Sequence, residues 1–121
     1  MTVSHILLVE DNAEVGVVLG DMLTLYGHTS ILTHNGQEAF AALDKGGIEA
    51  VVTDMRLPGS ISGEAIADRA EAMGIGRVLI TGYGDVMSKL REKRDCIWLL
   101  KPFRAAQLAS AVAAALQPPS E

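Results

Sequence analysis

Five short apolar runs alternate with stretches of helical periodicity, and this alternation constrains the fold more than any other feature of the sequence. The predicted strands span residues 4–9, 29–34, 50–54, 77–81 and 96–100. The predicted helices, in which apolar residues recur at helical spacing, span residues 12–26, 36–44, 63–73, 85–94 and 104–116. Buried strands that alternate with helices indicate a parallel sheet covered on both faces. We therefore predict an α/β fold with a five-stranded parallel sheet.

Length and composition limit the class of protein. The 121 residues, 49% of them apolar, fit a single domain with a core over about 4–116 and a tail at 117–121. The net charge of −5 argues against a nucleic-acid surface, which is normally basic. The single cysteine, Cys96, falls inside the last predicted strand and indicates a reducing compartment. No apolar stretch approaches the ~20 residues of a membrane span, so we predict a soluble, cytoplasmic protein.

Polar side chains stand at the ends of four predicted strands. Glu10 and Asp11 follow the first strand, Asp54 ends the third, Thr81 ends the fourth, and Lys101 follows the fifth. Right-handed crossovers bring the carboxyl ends of parallel strands to one edge of the sheet. In open sheets of this kind, ligands bind at that edge. We therefore expect these five side chains to converge, although they are far apart in sequence.

This set of side chains predicts a metal-dependent phosphate site. Carboxylates crowded together repel one another unless a cation is present, and Mg²⁺ prefers a few carboxylates together with water and phosphate. Asp54 could attack phosphorus as a nucleophile, with the Lys101 charge and the Thr81 hydroxyl stabilising the phosphoryl oxygens. Each residue alone has an ordinary interpretation as a turn, cap or surface residue. The histidines show no metal-ligand spacing and are interpreted as structural or surface residues: His5, His28 and His34.

Over essentially its whole length, the chain resembles the receiver domain of two-component response regulators. The motifs that carry the resemblance are Ile6–Asp11, Val51–Gly59, Gly63-Glu64, Val78–Gly82 and Leu99–Phe103. The resemblance implies a flavodoxin-like, three-layer α/β/α architecture with strand order 2-1-3-4-5. Alternation of strands and helices does not by itself specify that order.

The resemblance also implies roles for the residues at the strand ends. Asp54 resembles the phosphoacceptor, and Lys101 resembles the lysine that binds the phosphoryl group. Asp11 resembles a direct Mg²⁺ ligand, while Glu10 resembles a residue that acts on the metal mainly through water. Asp54 and the backbone carbonyl of Arg56 would complete the protein ligands.

Two further positions resemble the family's switch. Thr81 resembles the switch hydroxyl, and Trp98 stands where the family usually has Tyr or Phe. The bulkier indole raises the question of whether it fits the inward position. The loop 58–63 is one residue longer than the commonest form and resembles that of receivers in hybrid histidine kinases. The Lys101-Pro102 bond is expected to be cis, as in relatives.

The leading hypothesis is a stand-alone receiver, with Met1 taken as a natural start. It would accept a phosphoryl group on Asp54 from a sensor histidine kinase or histidine phosphotransferase, with Mg²⁺, and would not be an enzyme in its own right. Phosphorylation would change contacts with an unknown downstream protein through residues 85–94, 96–100 and 104–116. We predict no direct nucleic-acid or membrane partner, and a monomer or weak dimer. The close variant is a receiver excised from a hybrid histidine kinase or a longer regulator.

Two other classes of protein fit the sequence less well. A haloacid-dehalogenase-like phosphatase needs a second Asp two positions after the nucleophile, where this chain has Arg56, and its acidic pair comes late in the chain. A pseudo-receiver that only binds partners would have lost Asp54, Lys101 or a member of the acidic pair, and this chain has lost none of them.

Overall fold

The computed structural model describes residues 4–82 and 96–117. Its five strands form one parallel sheet in the order β2-β1-β3-β4-β5. The strands are β1 His5–Val9, β2 Thr29–Thr33, β3 Ala50–Asp54, β4 Gly76–Thr81 and β5 Ile97–Leu100. The helices of the described residues are α1 Ala13–Leu25, α2 Gly36–Lys45, α3 Gly63–Ala72 and α4 Ala105–Leu116. The predicted helix over residues 85–94 lies outside the described residues.

The helices cover both faces of the sheet, as predicted. Alternate residues of a strand point to opposite faces, and the two core clusters separate along β1 accordingly. Ile6 and Leu8 pack in the cluster that contains the buried residues of α1 and α4. Leu7 and Val9 pack in the cluster that contains those of α2 and α3. The three-layer α/β/α architecture and the strand order are therefore both confirmed.

In the described residues, every element boundary lies within one residue of the sequence prediction. Asn12 does not belong to α1 but caps it, because its side chain accepts hydrogen bonds from the N–H groups of Glu14 and Val15. The prediction that Cys96 lies inside the last strand is wrong, since β5 begins at Ile97. Cys96 is nevertheless buried, in a small cluster with Ala67 and Leu79.

Helix α1 turns several of its apolar residues away from the core. Val15, Val18 and Leu25 are 40%, 51% and 75% exposed. Gly16 faces the sheet, and a Cβ placed on it would lie 2.6 Å from Leu32 Cδ1. The small residue lets α1 lie close to β2, and the helix rotation that this contact selects leaves the valines in solvent. No helix in residues 4–82 or 96–117 has the length and apolar character needed to cross a membrane.

Candidate functional site

Asp54 is the last residue of β3, a strand whose five residues are all buried. Its carboxylate is contacted on both oxygens. Lys101 Nζ donates to Oδ2 at 2.7 Å, and the backbone N–H of Arg56 donates to Oδ1 at 3.3 Å. The Asp54 side chain is only 13% exposed, whereas that of Lys101 is 45% exposed. The carboxylate therefore forms the floor of the site, and the ammonium group reaches it from the solvent side.

A tight turn after β3 fixes where the Asp54 carboxylate points. The N–H of Met55 donates to the carbonyl of Ile80 at 2.9 Å and extends the pairing with β4 by one residue. The N–H of Gly63, the first residue of α3, donates to the Met55 carbonyl at 3.0 Å. A Cβ on Gly63 would lie 2.0 Å from the Asp54 carbonyl oxygen. Only glycine allows α3 to start this close to the acidic residue.

Glu10 and Asp11 lie beside Asp54, as the strand-end pattern predicted. Each of the three residues offers a carboxylate oxygen, and these oxygens lie within 4.8 Å of one another. Glu10 is 4% exposed, and its Oε2 accepts a hydrogen bond from the N–H of Asn12 at 3.2 Å. Asp11 is exposed. The site therefore has one solvent-facing acid and two buried ones.

Thr81 and Trp98 lie on the Lys101 side of the site. Thr81 ends β4, is 1% exposed, and accepts the backbone N–H of Lys101 on its carbonyl at 2.9 Å. Its hydroxyl donates to the Gly82 carbonyl at 3.3 Å. Trp98 pairs in register with Leu79 and packs, partly buried, against Ala67, Leu79 and Cys96. Strand alternation therefore puts Trp98 and Thr81 on the same face of the sheet.

The Lys101-Pro102 peptide bond is cis, as expected. A model of the response regulator receiver domain matches residues 6–113 of the sequence. This chain belongs to the response regulator receiver domain family. The family model covers every residue of the acidic cluster as well as Thr81 and Lys101.

Known proteins similar to this receiver domain include two longer regulators. The transcriptional regulatory protein TcrA of Mycobacterium tuberculosis H37Rv is 33% identical over 107 residues, which cover 86% of this chain and 42% of TcrA. YkoG of Bacillus subtilis, an uncharacterized transcriptional regulatory protein, is 30% identical over 121 residues, covering 97% of this chain and 53% of YkoG. The receiver domain thus spans about half the length of the curated relatives it matches. The crystal structure of a receiver protein from Sinorhizobium medicae WSM419 has a TM-score of 0.85 and 30% identity over 94% of both chains.

The acidic cluster of this receiver domain fits a small divalent cation. Oxygen ligands at 2.0–2.1 Å in an octahedron stand roughly 3–4 Å apart, and the three carboxylate oxygens lie within 4.8 Å of one another. Small side-chain rotations would close that difference. All donors are hard oxygen atoms, which Mg²⁺ prefers. The carbonyl of Arg56 as a further ligand remains a prediction.

Without a cation, the cluster is electrostatically unfavourable for Glu10. Burial raises the pKa of Glu10 above its ordinary value, and a hydrogen bond with the Asp11 side chain and the charge of Asp54 raise the pKa further. Partial burial acts to lower the pKa of Lys101, but the hydrogen bond to Asp54 and the surrounding acids outweigh it and raise the pKa above its usual range. The site therefore holds a stably charged ammonium group, Lys101, close to one acid, Glu10, whose ionisation is disfavoured.

The raised pKa of Glu10 predicts that Glu10→Gln stabilises the metal-free protein at neutral pH. A folded-state pKa above the unfolded value means that stability falls as pH rises through that interval. A Gln side chain does not ionise and therefore avoids this loss of stability, and its amide oxygen can still accept the hydrogen bond from the Asn12 N–H. In urea unfolding with EDTA, the free energy of unfolding of the variant should exceed that of the unmodified protein at pH 7. This difference should shrink to zero below 4.5, the ordinary pKa of the glutamate side chain. Glu14→Gln, at an exposed position, should show no such gain; an equal gain there would contradict the assignment to Glu10.

The loop over 58–63 is anchored at α2. Ile61 lies against Gly36, where an added Cβ would approach the Ile61 Cβ to 2.3 Å. A cavity of about 360 Å³ separates the rest of this loop from the start of α2, with Asn35, Gln37 and Ser60 in its lining. The loop therefore packs against the start of α2, beside the site and not across it.

Sequence reasoning missed one contact at the site. His34, interpreted from sequence as a structural or surface residue, bonds through Nδ1 to the backbone carbonyl oxygen of Glu10 at 3.1 Å. The contact follows from the structure because His34 directly follows β2, the strand that pairs with β1. That pairing could not be read from the sequence alone, because it depends on the strand order.

Proposed function

We propose that this receiver domain accepts a phosphoryl group on Asp54 from a phosphohistidine of a sensor histidine kinase or a histidine phosphotransferase. The observation that carries the proposal is the surroundings of the Asp54 carboxylate. It lies 2.7 Å from the Lys101 ammonium, and its oxygen lies within 4.8 Å of those of Glu10 and Asp11. A buried carboxylate with a cation on one side and an acidic cluster on the other suits attack on a phosphoryl group that a metal accompanies.

Each site residue has a distinct part in the proposed transfer. A carboxylate oxygen of Asp54 forms the new bond to phosphorus while the phosphorus–nitrogen bond of the donor breaks, and the bonding electron pair stays with the imidazole. Lys101 neutralises charge on the phosphoryl oxygens, and the Thr81 hydroxyl donates to one of them once it leaves Gly82. Glu10, Asp11, Asp54 and the Arg56 carbonyl would hold Mg²⁺, which would neutralise the negative charge of the incoming group.

We further propose that the output is a change in protein contacts. The switch would begin at Thr81 and pass to Trp98, which packs on the same face of the sheet. The surface that reads out the change would include β5 and α4, together with residues 85–94, which lie outside the described residues. The names and lengths of TcrA and YkoG favour the alternative that the chain is the receiver part of a longer regulator.

The direct test is phosphorylation by a small-molecule phosphodonor such as acetyl phosphate. In the presence of Mg²⁺, the intact mass should rise by one phosphoryl group, and EDTA should prevent the rise. Borohydride trapping followed by peptide mapping should place the modification on Asp54. A protein that folds and binds Mg²⁺ but gains no mass would instead be a pseudo-receiver, and the proposal would be wrong.

Mg²⁺ should stabilise the domain, since the acidic cluster exists only in the folded state. At a concentration a hundred times the dissociation constant, the gain should be about 2.7 kcal/mol, which raises the midpoint of thermal unfolding by roughly 10 °C in a domain of this size. Asp11→Asn should remove most of the gain, whereas Asp21→Asn on the exposed side of α1 should retain it. Differential scanning calorimetry at constant ionic strength measures the effect, and equal gains in both variants would exclude a site at Asp11.

A further inference from the structure

The end of β2 holds the turn that carries the acidic pair. The backbone N–H of Glu10 donates to the carbonyl of Thr33 at 3.0 Å. The backbone carbonyl of Glu10 bonds to His34 Nδ1 at 3.1 Å. Both backbone polar groups of Glu10 are therefore fixed by consecutive residues of one neighbouring segment.

The histidine contact takes over where the strand pairing stops. β1 and β2 pair in register up to Val9 and Thr33, and a continued parallel ladder would use the backbone N–H of Asn35 for the next bond. Asn35 instead caps α2. The His34 side chain supplies the hydrogen bond to the Glu10 carbonyl at the point where the chain leaves the sheet.

His34 is itself held from the α2 side. Its backbone N–H donates to Glu38 Oε1 at 3.0 Å. The N–H of Glu38 in turn donates to Asn35 Oδ1 at 2.9 Å. These hydrogen bonds fix the His34 backbone to the first turn of α2, so the imidazole does not extend from a free loop. Because a carbonyl can only accept, Nδ1 must carry the proton in this contact.

From this arrangement we infer that His34 is a positioning residue for the acidic pair. The peptide group between Glu10 and Asp11 is planar, its carbonyl oxygen is the atom that His34 binds, and its two flanking Cα atoms carry the two carboxylates. Fixing that oxygen therefore fixes the direction in which both side chains leave the backbone. The inference rests on the proposed Mg²⁺ site.

The test compares His34→Leu with His34→Asn. The two replacement side chains have nearly the same branched shape, but only Asn offers an N–H near the position of Nδ1. Outer-shell hydrogen bonds to metal sites are typically worth 10–100-fold in metal affinity, and the lower end applies to a bond made through the backbone. We expect the Mg²⁺ dissociation constant from titration calorimetry to rise about tenfold in His34→Leu and to stay near that of the unmodified protein in His34→Asn. His5→Ala, a histidine at the opposite end of the sheet, should leave the constant unchanged.

Each other outcome overturns the inference. Unchanged affinity in His34→Leu, or equal losses in His34→Leu and His34→Asn, would show that the hydrogen bond does not set the geometry of the acidic pair. Unfolding of His34→Leu beside a folded His34→Asn would show that the bond supports the whole β2–α2 junction. If the unmodified protein fails to bind Mg²⁺ at all, the proposed function fails first, and this result is distinguishable from the others.

Discussion

Replacing Asp54 by Asn should abolish phosphorylation by acetyl phosphate in Mg²⁺. The amide is a far weaker nucleophile than the carboxylate and forms no acyl phosphate. The fold should survive, because the variant removes one of three crowded acids and keeps the side-chain shape. Intact mass spectrometry of the reaction mixture measures the loss, and circular dichroism checks the fold.

Asp21→Asn is the matched control for this variant. It makes the same chemical change at an exposed position on α1, and its mass should rise as in the unmodified protein. If Asp54→Asn still gains one phosphoryl group under these conditions, then another acid of the cluster is the acceptor and the assignment of Asp54 is wrong.

Gly63→Ala should be among the most destabilising single-methyl changes in the described residues. Its Cβ would lie 2.0 Å from the Asp54 carbonyl oxygen and 2.8 Å from Met55 Cα. Both atoms belong to the backbone, so no side chain can turn away to make room. Overpacking typically costs ~1–3 kcal/mol and occasionally more, and we expect about 3 kcal/mol or more here. That corresponds to a fall of roughly 10 °C in the midpoint of thermal unfolding.

The same substitution should also disturb the chemistry. Moving α3 away would break the Gly63 N–H bond to the Met55 carbonyl and release the turn that orients Asp54, so slower phosphorylation should accompany the lower stability. Gly82→Ala is the control, since an added Cβ meets no atom of the described residues within 4 Å and no positive φ is required there. Similar midpoints for the two variants would show that α3 shifts without strain.

The strands and their convergence were predictable from the sequence for a simple physical reason. Strands of a covered parallel sheet are apolar along their length, so β1, β3, β4 and β5 stand out as continuous apolar runs that end in, or are followed by, polar residues. The side chains that follow those runs are then placed together by topology, as Glu10, Asp54 and Lys101 are. The strand order was not predictable in this way, because helical crossovers of similar length permit several orders. It came from the family resemblance.

What the sequence did not indicate depends on contacts between distant elements. The periodicity of α1 predicts a helix, but it does not reveal that Gly16 faces Leu32 while Val15 and Val18 face solvent. The reason for glycine at position 63, its close approach to the backbone of Asp54, is likewise not visible in the sequence. His34 has no informative neighbours in sequence, since its partner Glu10 is 24 positions away. Each of these depends on a contact between residues that are far apart in the sequence.

The register of the sheet has a consequence for how such a domain can diversify. Every reactive side chain sits on the last residue of a strand or within two residues of it, so interstrand hydrogen bonds set the distances between these groups. The connecting segments beyond them can change in length without altering these distances. Mutation of the outer loops can therefore change the proposed protein contacts of this domain without moving the side chains of the acidic cluster.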